Sequence, residues 1–324
     1  MNIDTKKTII NNSESELMTD CTLCPRSCHA DRNRTPGVCG VGTEPVVARA
    51  ALHMWEEPCI SGSEGSGTVF FSGCNLGCIF CQNYDIAHRK SGKTISTGRL
   101  SEIFLELQAK KANNINLVTP THFVPQIIEA LTMAKENGLT IPIVYNSSGY
   151  ESVRTLQMLD GLIDVYLPDL KYFSSALSSK YSHASDYFEK ASLAIAEMVR
   201  QTGEPLFRTK TDTLLTADQY DDEALICKGT IVRHLLLPGC LEDSKAVIRY
   251  LFETFGNRIY ISIMNQYTPL KQVAHIPELN RKVSSDDYEA LVDYAISLGV
   301  ENGFIQEGDV AAESFIPAFD GSGI

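Results

Sequence analysis

Thr68-Val69-Phe70-Phe71-Ser72-Gly73-Cys74-Asn75-Leu76-Gly77-Cys78-Ile79-Phe80-Cys81 is the stretch on which the fold of this chain turns. Val69, Phe70 and Phe71 have the character of a short buried strand, and Ser72-Gly73 ends it just before the first cysteine. Gaps of three and two residues then place Cys74, Cys78 and Cys81 on one loop. Three thiolates can hold three irons of a four-iron cluster and leave the fourth open to a chelating ligand, whereas a closed structural site takes four protein ligands. The competing reading is a zinc knuckle completed by a distant cysteine or histidine.

Downstream, short β-rich runs alternate with helical patterns, as successive βα units around a parallel sheet require. Leu100, Ile103, Phe104 and Leu107 share one face of the helix after the cysteine loop. Residues 115–118, 141–145, 163–167, 230–237 and 259–264 read as five further strands. The helices between them start near Pro125, Glu151 and Ser185, and Ser244 is expected to cap the next. Six such units are two short of a closed eight-stranded barrel. In barrel-like α/β folds the reactive face lies at the carboxyl ends of the strands, where the cysteine loop falls. Residues 301–307 read as a final strand covering the base or side.

The chain has 324 residues, 44% of them hydrophobic, enough for a large core. Forty acidic against 28 basic residues leave a charge of −12, which argues against nucleic-acid or anionic-membrane partners. Residues 1–20 are polar and read as loosely attached, and neither a signal-peptide core nor a bilayer-length apolar run is found. A cytoplasmic protein is expected. Seven of the ten cysteines fall in two tight groups, which in a reducing compartment reads as metal binding. Cys59, Cys227 and Cys240 are scattered and read as structural.

The second group, Cys21, Cys24, Cys28 and Cys39, has gaps of two, three and ten residues. Four thiolates complete either a zinc tetrahedron or an auxiliary iron-sulfur cluster. Residues 21–67 are otherwise expected to hold few regular elements. His53-Met54-Trp55-Glu56-Glu57-Pro58 could lie over a substrate opening, but Trp55 reads chiefly as packing between the extension and the core.

The three-cysteine spacing with Phe80 before its last member resembles the radical S-adenosylmethionine (SAM) superfamily. More narrowly, Cys21-Thr22-Leu23-Cys24-Pro25-Arg26, the 53–58 stretch, Cys81-Gln82-Asn83 and Tyr145-Asn146-Ser147-Ser148-Gly149-Tyr150 resemble pyruvate formate-lyase activating enzyme-like proteins. The resemblance implies a partial (β/α)6 radical SAM barrel at 68–270, after a cysteine-rich N-terminal extension at 1–67 and before a C-terminal segment at 271–324. It implies a [4Fe-4S] cluster on Cys74, Cys78 and Cys81, with SAM on the open iron. One electron from the cluster then gives methionine and a 5′-deoxyadenosyl radical that takes hydrogen from a substrate.

Residue by residue, Phe80 resembles the aromatic against the adenine, and Asn83 follows the last cysteine as in the activases. A Gly-Gly-Glu segment that receives the SAM amino group in the family is replaced here by Thr119-Pro120-Thr121-His122, leaving the hydroxyls of Thr119 and Thr121 and the His122 ring as candidates. Asn146-Ser147 and Asp169-Leu170-Lys171 resemble pairs that hold a monovalent cation, with Asn146 in place of the acid. Arg233 resembles an arginine contacting SAM, and Gln266 approaches the adenine. The implied substrate is a protein glycine or, alternatively, another peptide or small molecule, and a flavodoxin or ferredoxin is the implied electron donor. A different class of reading is a non-catalytic iron-sulfur or zinc-binding interaction protein.

Overall fold

The computed structural model describes residues 17–306 and 317–324. Most of the expected loose segment 1–20 lies outside these residues, as does Glu307 of the expected last strand. The strands are β1 (Val46–His53), β2 (Ser66–Phe71), β3 (Lys93–Thr94), β4 (Ile115–Val118), β5 (Ile143–Ser147), β6 (Val165–Pro168), β7 (Leu206–Arg208), β8 (Leu214–Thr216), β9 (Leu225–Leu235), β10 (Tyr260–Met264) and β11 (Gly303–Ile305). Their order in the sheet is β11-β10-β9-β6-β5-β4-β2-β1-β3, parallel from β2 to β11. β7 and β8 form an antiparallel hairpin on the first half of β9. This is an α/β fold built on a mostly parallel sheet.

Alternation along the strands separates two environments. Outward residues such as Tyr145, Tyr166, Val232, Ile261 and Ile263 meet the helices in two large apolar clusters. Among those helices, Thr97–Ala109 buries Leu100, Ile103, Phe104 and Leu107, and Tyr187–Thr202 buries Ala191, Ile195 and Met198. Inward, Val144, Val165, Ile231 and Tyr260 form a lower apolar layer with Cys59 and Ile60 from the short helix Pro58–Ser61. Two residues further along the same strands stand Asn146, Arg233 and Ser262, so polarity begins one layer up.

Several expectations need correction. The 21–67 region is not poor in regular structure, because β1 is eight residues long and pairs antiparallel with β2. Its mixed burial, with Val47, Ala48 and Ala50 buried and Leu52 exposed, is that of a covering strand rather than a core one. Of the two places expected for the 301–307 strand, base or side, β11 takes the side, extending the sheet in parallel beside β10. Ser244 is not a cap, since the helix starts at Leu241 and Ser244 sits buried in its first turn, donating its N–H to Cys240 O at 2.9 Å. The helix Ser175–Ser182, capped by Ser174 accepting from Leu177 N, was not expected.

Candidate functional site

β1 runs back beside β2 so that His53 pairs with Ser66, at the amino end of the parallel strands. The chain then turns inward, and Pro58–Ser61 plugs that end with Cys59 and Ile60. Above the plug lies a cavity of about 370 Å³. Its roof carries Cys74, Cys78, Phe80 and Cys81, its wall Thr119, Asn146, Asp169, Lys171 and Arg233, and its floor Glu56 and Glu57. Trp55, Phe70, Phe304, Ile305 and Pro317 contribute an apolar side.

The three loop cysteines therefore share one enclosure. Burial pushes the Cys78 thiol up to about 11 and raises Cys81 as well, Lys171 opposing both. As bare thiols they stay protonated at neutral pH, and a metal would displace the protons. Ser182 Oγ donates to Cys78 Sγ at 3.0 Å, and Tyr172 Oη lies 2.7 Å from Ser182 Oγ. Among the described residues no three Cys, His, Asp or Glu side chains close on a single-ion position. Three thiols that line one cavity suit the separate irons of a cluster.

The floor and wall form a charge network. Arg233 donates from Nε to Asp169 Oδ1 at 2.9 Å, from Nη1 to Glu56 Oε2 at 3.2 Å and from Nη2 to Asn146 Oδ1 at 2.7 Å. Lys171 Nζ donates to Asp169 Oδ2 at 2.5 Å, and Asn116 Nδ2 to Glu56 Oε1 at 3.0 Å. Burial alone would raise Asp169, but Lys171 and Arg233 outweigh it and hold the carboxyl below its usual range. For Glu56 and Glu57 burial wins over Arg233, and both are raised. Asp169 thus lines the cavity and also pairs with Lys171, joining the two roles that its sequence context offered.

Asn83, Ser147 and Gln266 line the same cavity, and Gln82 Nε2 ties the cysteine loop to Gln266 O at 2.6 Å. Phe80 stands at 6.2 Å from the Tyr267 ring and 6.4 Å from Tyr172. Thr121 and His122 are not brought to the cavity. The Thr121 hydroxyl points away and donates to Glu151 Oε1 at 2.6 Å. His122 is buried with Nε2 at 2.9 Å from Ser72 O, and burial with Arg32 nearby lowers it to about 3, so a neutral ring props the backbone before Gly73. The residue that lines the cavity there is Thr119, a β-branched side chain at φ +58, held by its N–H to Asn146 O at 2.8 Å. Such a backbone is strained for threonine and is tolerated only where neighbours enforce it.

Trp55 also differs from expectation: it is 64% exposed at the cavity side rather than packed between extension and core. Packing is supplied instead by Cys59 and Ile60, four and five residues on. Glu56, Glu57 and Ser182 were not singled out as site residues. Two adjacent carboxylates beside a lone tryptophan were the available signal, but their inward turn depends on β1.

The N-terminal cysteines sit directly behind the loop. Cys74 donates its N–H to Cys39 O at 3.3 Å, and at Gly73 (φ +91) an added Cβ would lie 2.8 Å from that same oxygen. Arg26 reaches Asn75 O at 2.8 Å and Leu76 O at 3.2 Å and stacks over Tyr150. Burial lifts Cys24 to about 12, while for Cys28 backbone N–H groups of Val38 and Ala30 overcome burial and lower it. Glycine is equally constrained at Gly149 (φ +75), where a Cβ would meet Asp169 O at 2.2 Å. Gly149→Ala is therefore expected to displace Asp169 and cost more than about 2 kcal/mol, read as a lowered Tm. An unchanged Tm would show that the 169 backbone yields freely.

Residues 68–224 match the family model of the Radical SAM superfamily. An uncharacterized protein of Methanocaldococcus jannaschii is 26% identical over 288 residues, covering 86% of this chain and 75% of its own. Among solved structures, SuiB of Streptococcus suis bound to its precursor peptide SuiA superposes with a TM-score of 0.47 at 13% identity, over 73% of this chain and 47% of that one. This chain thus spans about half the length of SuiB. A domain of pyruvate-formate lyase-activating enzyme from Bacteroides vulgatus gives 0.38 at 13% identity, over 57% of this chain and 91% of that one. Among the described residues no helix is long and apolar enough to cross a membrane.

Proposed function

We propose that this chain is a radical SAM enzyme that cleaves SAM at a [4Fe-4S] cluster held by Cys74, Cys78 and Cys81, and takes hydrogen from a protein or peptide. The observation that carries it is the shared cavity, which Cys74, Cys78 and Cys81 line together with Asp169, Lys171 and Arg233. When bound, the cluster supplies one electron to the sulfonium of SAM, which leaves methionine and a 5′-deoxyadenosyl radical. The chain's own part is to bind, orient and shield. Phe80 and Gln266 flank the adenine, Asn83, Asn146 and Ser147 offer polar contacts, and Arg233, Lys171 and Asp169 fix the wall.

A peptide is favoured over a free small molecule by exposed apolar lining. Trp55 and Ile305 line the cavity and are 64% and 52% exposed, surface that a polypeptide would cover. Activation of a glycyl-radical enzyme is one member of this class and rests on resemblance alone. The N-terminal cysteines we assign to a second metal group, zinc or iron-sulfur, bracing the loop. A cytoplasmic location and a flavodoxin or ferredoxin donor belong to the same reading.

Anaerobic reconstitution with iron and sulfide, then SAM and a strong reductant, is expected to yield 5′-deoxyadenosine, and deuterium carried into it from a labelled partner would identify the substrate. A full cluster without cleavage would favour the binding-protein alternative. Ser182→Ala is expected to lower the cluster midpoint potential, because a hydrogen bond to sulfur favours the electron-richer state. In an EPR-monitored titration, a tenfold change in the reduction equilibrium appears as about 59 mV for one electron. An unmoved potential would reduce Ser182 to a packing role.

A further inference from the structure

Arg32 is a buried cation whose hydrogen-bond partners are carbonyls rather than carboxylates. It is 2% exposed, its Nη1 donates to His122 O at 2.6 Å and its Nη2 to Gly42 O, and its Nε is enclosed without a partner. Phe123 lies under the guanidinium at 5.7 Å. The adjacent Asp31 is turned to Arg34, at 3.3 Å. Carbonyl dipoles and a ring face offset part of the cost of burying a charge, and an opposite charge nearby offsets the rest.

The N-terminal cysteine group is where that opposite charge can arise. A Cβ added at Gly37 would stand 3.3 Å from Cys28 Sγ, 3.5 Å from Cys39 Sγ and 3.9 Å from Arg32 Cδ, so two thiols and the arginine stem border one small space. Cys21 and Cys24 share the neighbourhood, since Cys21 acts electrostatically on Cys39, and both act on Cys24. The N–H groups of Arg26, Ala30 and Val41, each two residues after a cysteine, favour the thiolates of Cys24, Cys28 and Cys39. The loop of Cys74, Cys78 and Cys81 repeats the pattern, with Leu76 donating its N–H to Cys74 Sγ at 3.4 Å and the Asn83 N–H favouring the Cys81 thiolate. Donors aimed at sulfur suit thiolates, and thiolates gathered in a buried place are what a metal binds. Four thiolates on one metal group carry excess negative charge. We propose that Arg32 is the buried counter-charge of a four-thiolate metal group on Cys21, Cys24, Cys28 and Cys39. This deepens the second-metal assignment above and rests on it. Among the described residues no three thiols close on one ion position, so metal stoichiometry decides between a zinc that draws the sulfurs inward and a cluster that takes them singly.

The full chain carrying Cys74→Ala, Cys78→Ala and Cys81→Ala keeps the N-terminal group alone. Supplied anaerobically with Zn2+, or with iron and sulfide, it is expected to retain a stoichiometric zinc or cluster by metal and sulfide analysis, and either satisfies the proposal. With Arg32→Met added, the chelator concentration that removes half of that metal is expected to fall about tenfold or more. Thermal melts add a readout that a packing role would not move. R32M should lower the Tm of the metal-loaded chain and leave that of the metal-free chain unchanged or raised, because without thiolates the guanidinium is a buried charge in excess. Arg32→Gln, which keeps a donor for His122 O and removes the charge, is expected to lose metal as R32M does, and it serves if R32M fails to fold. An N-terminal group that retains no metal overturns the proposal together with the second-metal assignment. Metal held as tightly by the neutral variants, or a Tm lowered equally with and without metal, overturns the role of Arg32 alone. Failure of the radical reading is separate, because it shows as absent 5′-deoxyadenosine from the unsubstituted chain.

Discussion

Cys78→Ala is expected to abolish both assembly of the principal cluster and SAM cleavage, lowering 5′-deoxyadenosine formation by at least about a thousandfold. The reason is stoichiometric: Cys74 and Cys81 would remain on the loop, one thiol fewer than a three-thiolate site requires. Cys78 is also the loop thiol that accepts from Ser182, so its loss removes that bond, while Ile79 N–H still donates to Tyr181 O at 3.0 Å. The fold should survive, since Leu76, Phe80 and Tyr181 pack around the position in one apolar cluster. Iron and sulfide content, visible absorption and product yield measured together decide the outcome. Cleavage at the wild-type rate would remove the three-thiol site from the mechanism.

The parallel strands were legible because each is short and dominated by β-branched, aromatic and other apolar residues, as burial on both faces favours. β1 was not, since Val46–His53 mixes alanine, arginine and histidine in a way that only a neighbouring β2 makes sense of. That miss propagated. Without the return of β1 to the amino end of β2, nothing turns Glu56 and Glu57 inward or frees Trp55 to stand at the side. Alternation also fails beyond residue 118, where Thr119 at φ +58 reverses the backbone and sends Thr121 and His122 outward. The two cysteine groups are 35 residues apart between Cys39 and Cys74, yet a backbone hydrogen bond joins those very residues. Cys39 and Arg26 therefore tie the N-terminal cysteine group to the loop.

Arg233→Met is expected to lose about 3–5 kcal/mol of stability at neutral pH and to make that loss strongly pH-dependent. Methionine fills much of the space but leaves Asp169, Glu56 and Glu57 facing one another with Lys171 as their remaining cation. In the native protein the lowered Asp169 contributes stability above its unfolded value of about 3.9, and loses it as pH falls through the folded value. The raised Glu56 and Glu57 act in the opposite sense. Their contribution is complete below the unfolded value of about 4.3 and is lost as pH climbs through the folded ones. Removing Arg233 withdraws the charge that lowers all three, so each folded value moves up and the variant meets more of the penalty at alkaline pH. The Tm difference between the native protein and R233M should therefore be widest near about pH 8 and shrink toward about pH 5, where protonation neutralises the orphaned acids. A gap of constant size would mean that the carboxylates do not feel Arg233, and the charged chamber would then be organised by something other than its central guanidinium.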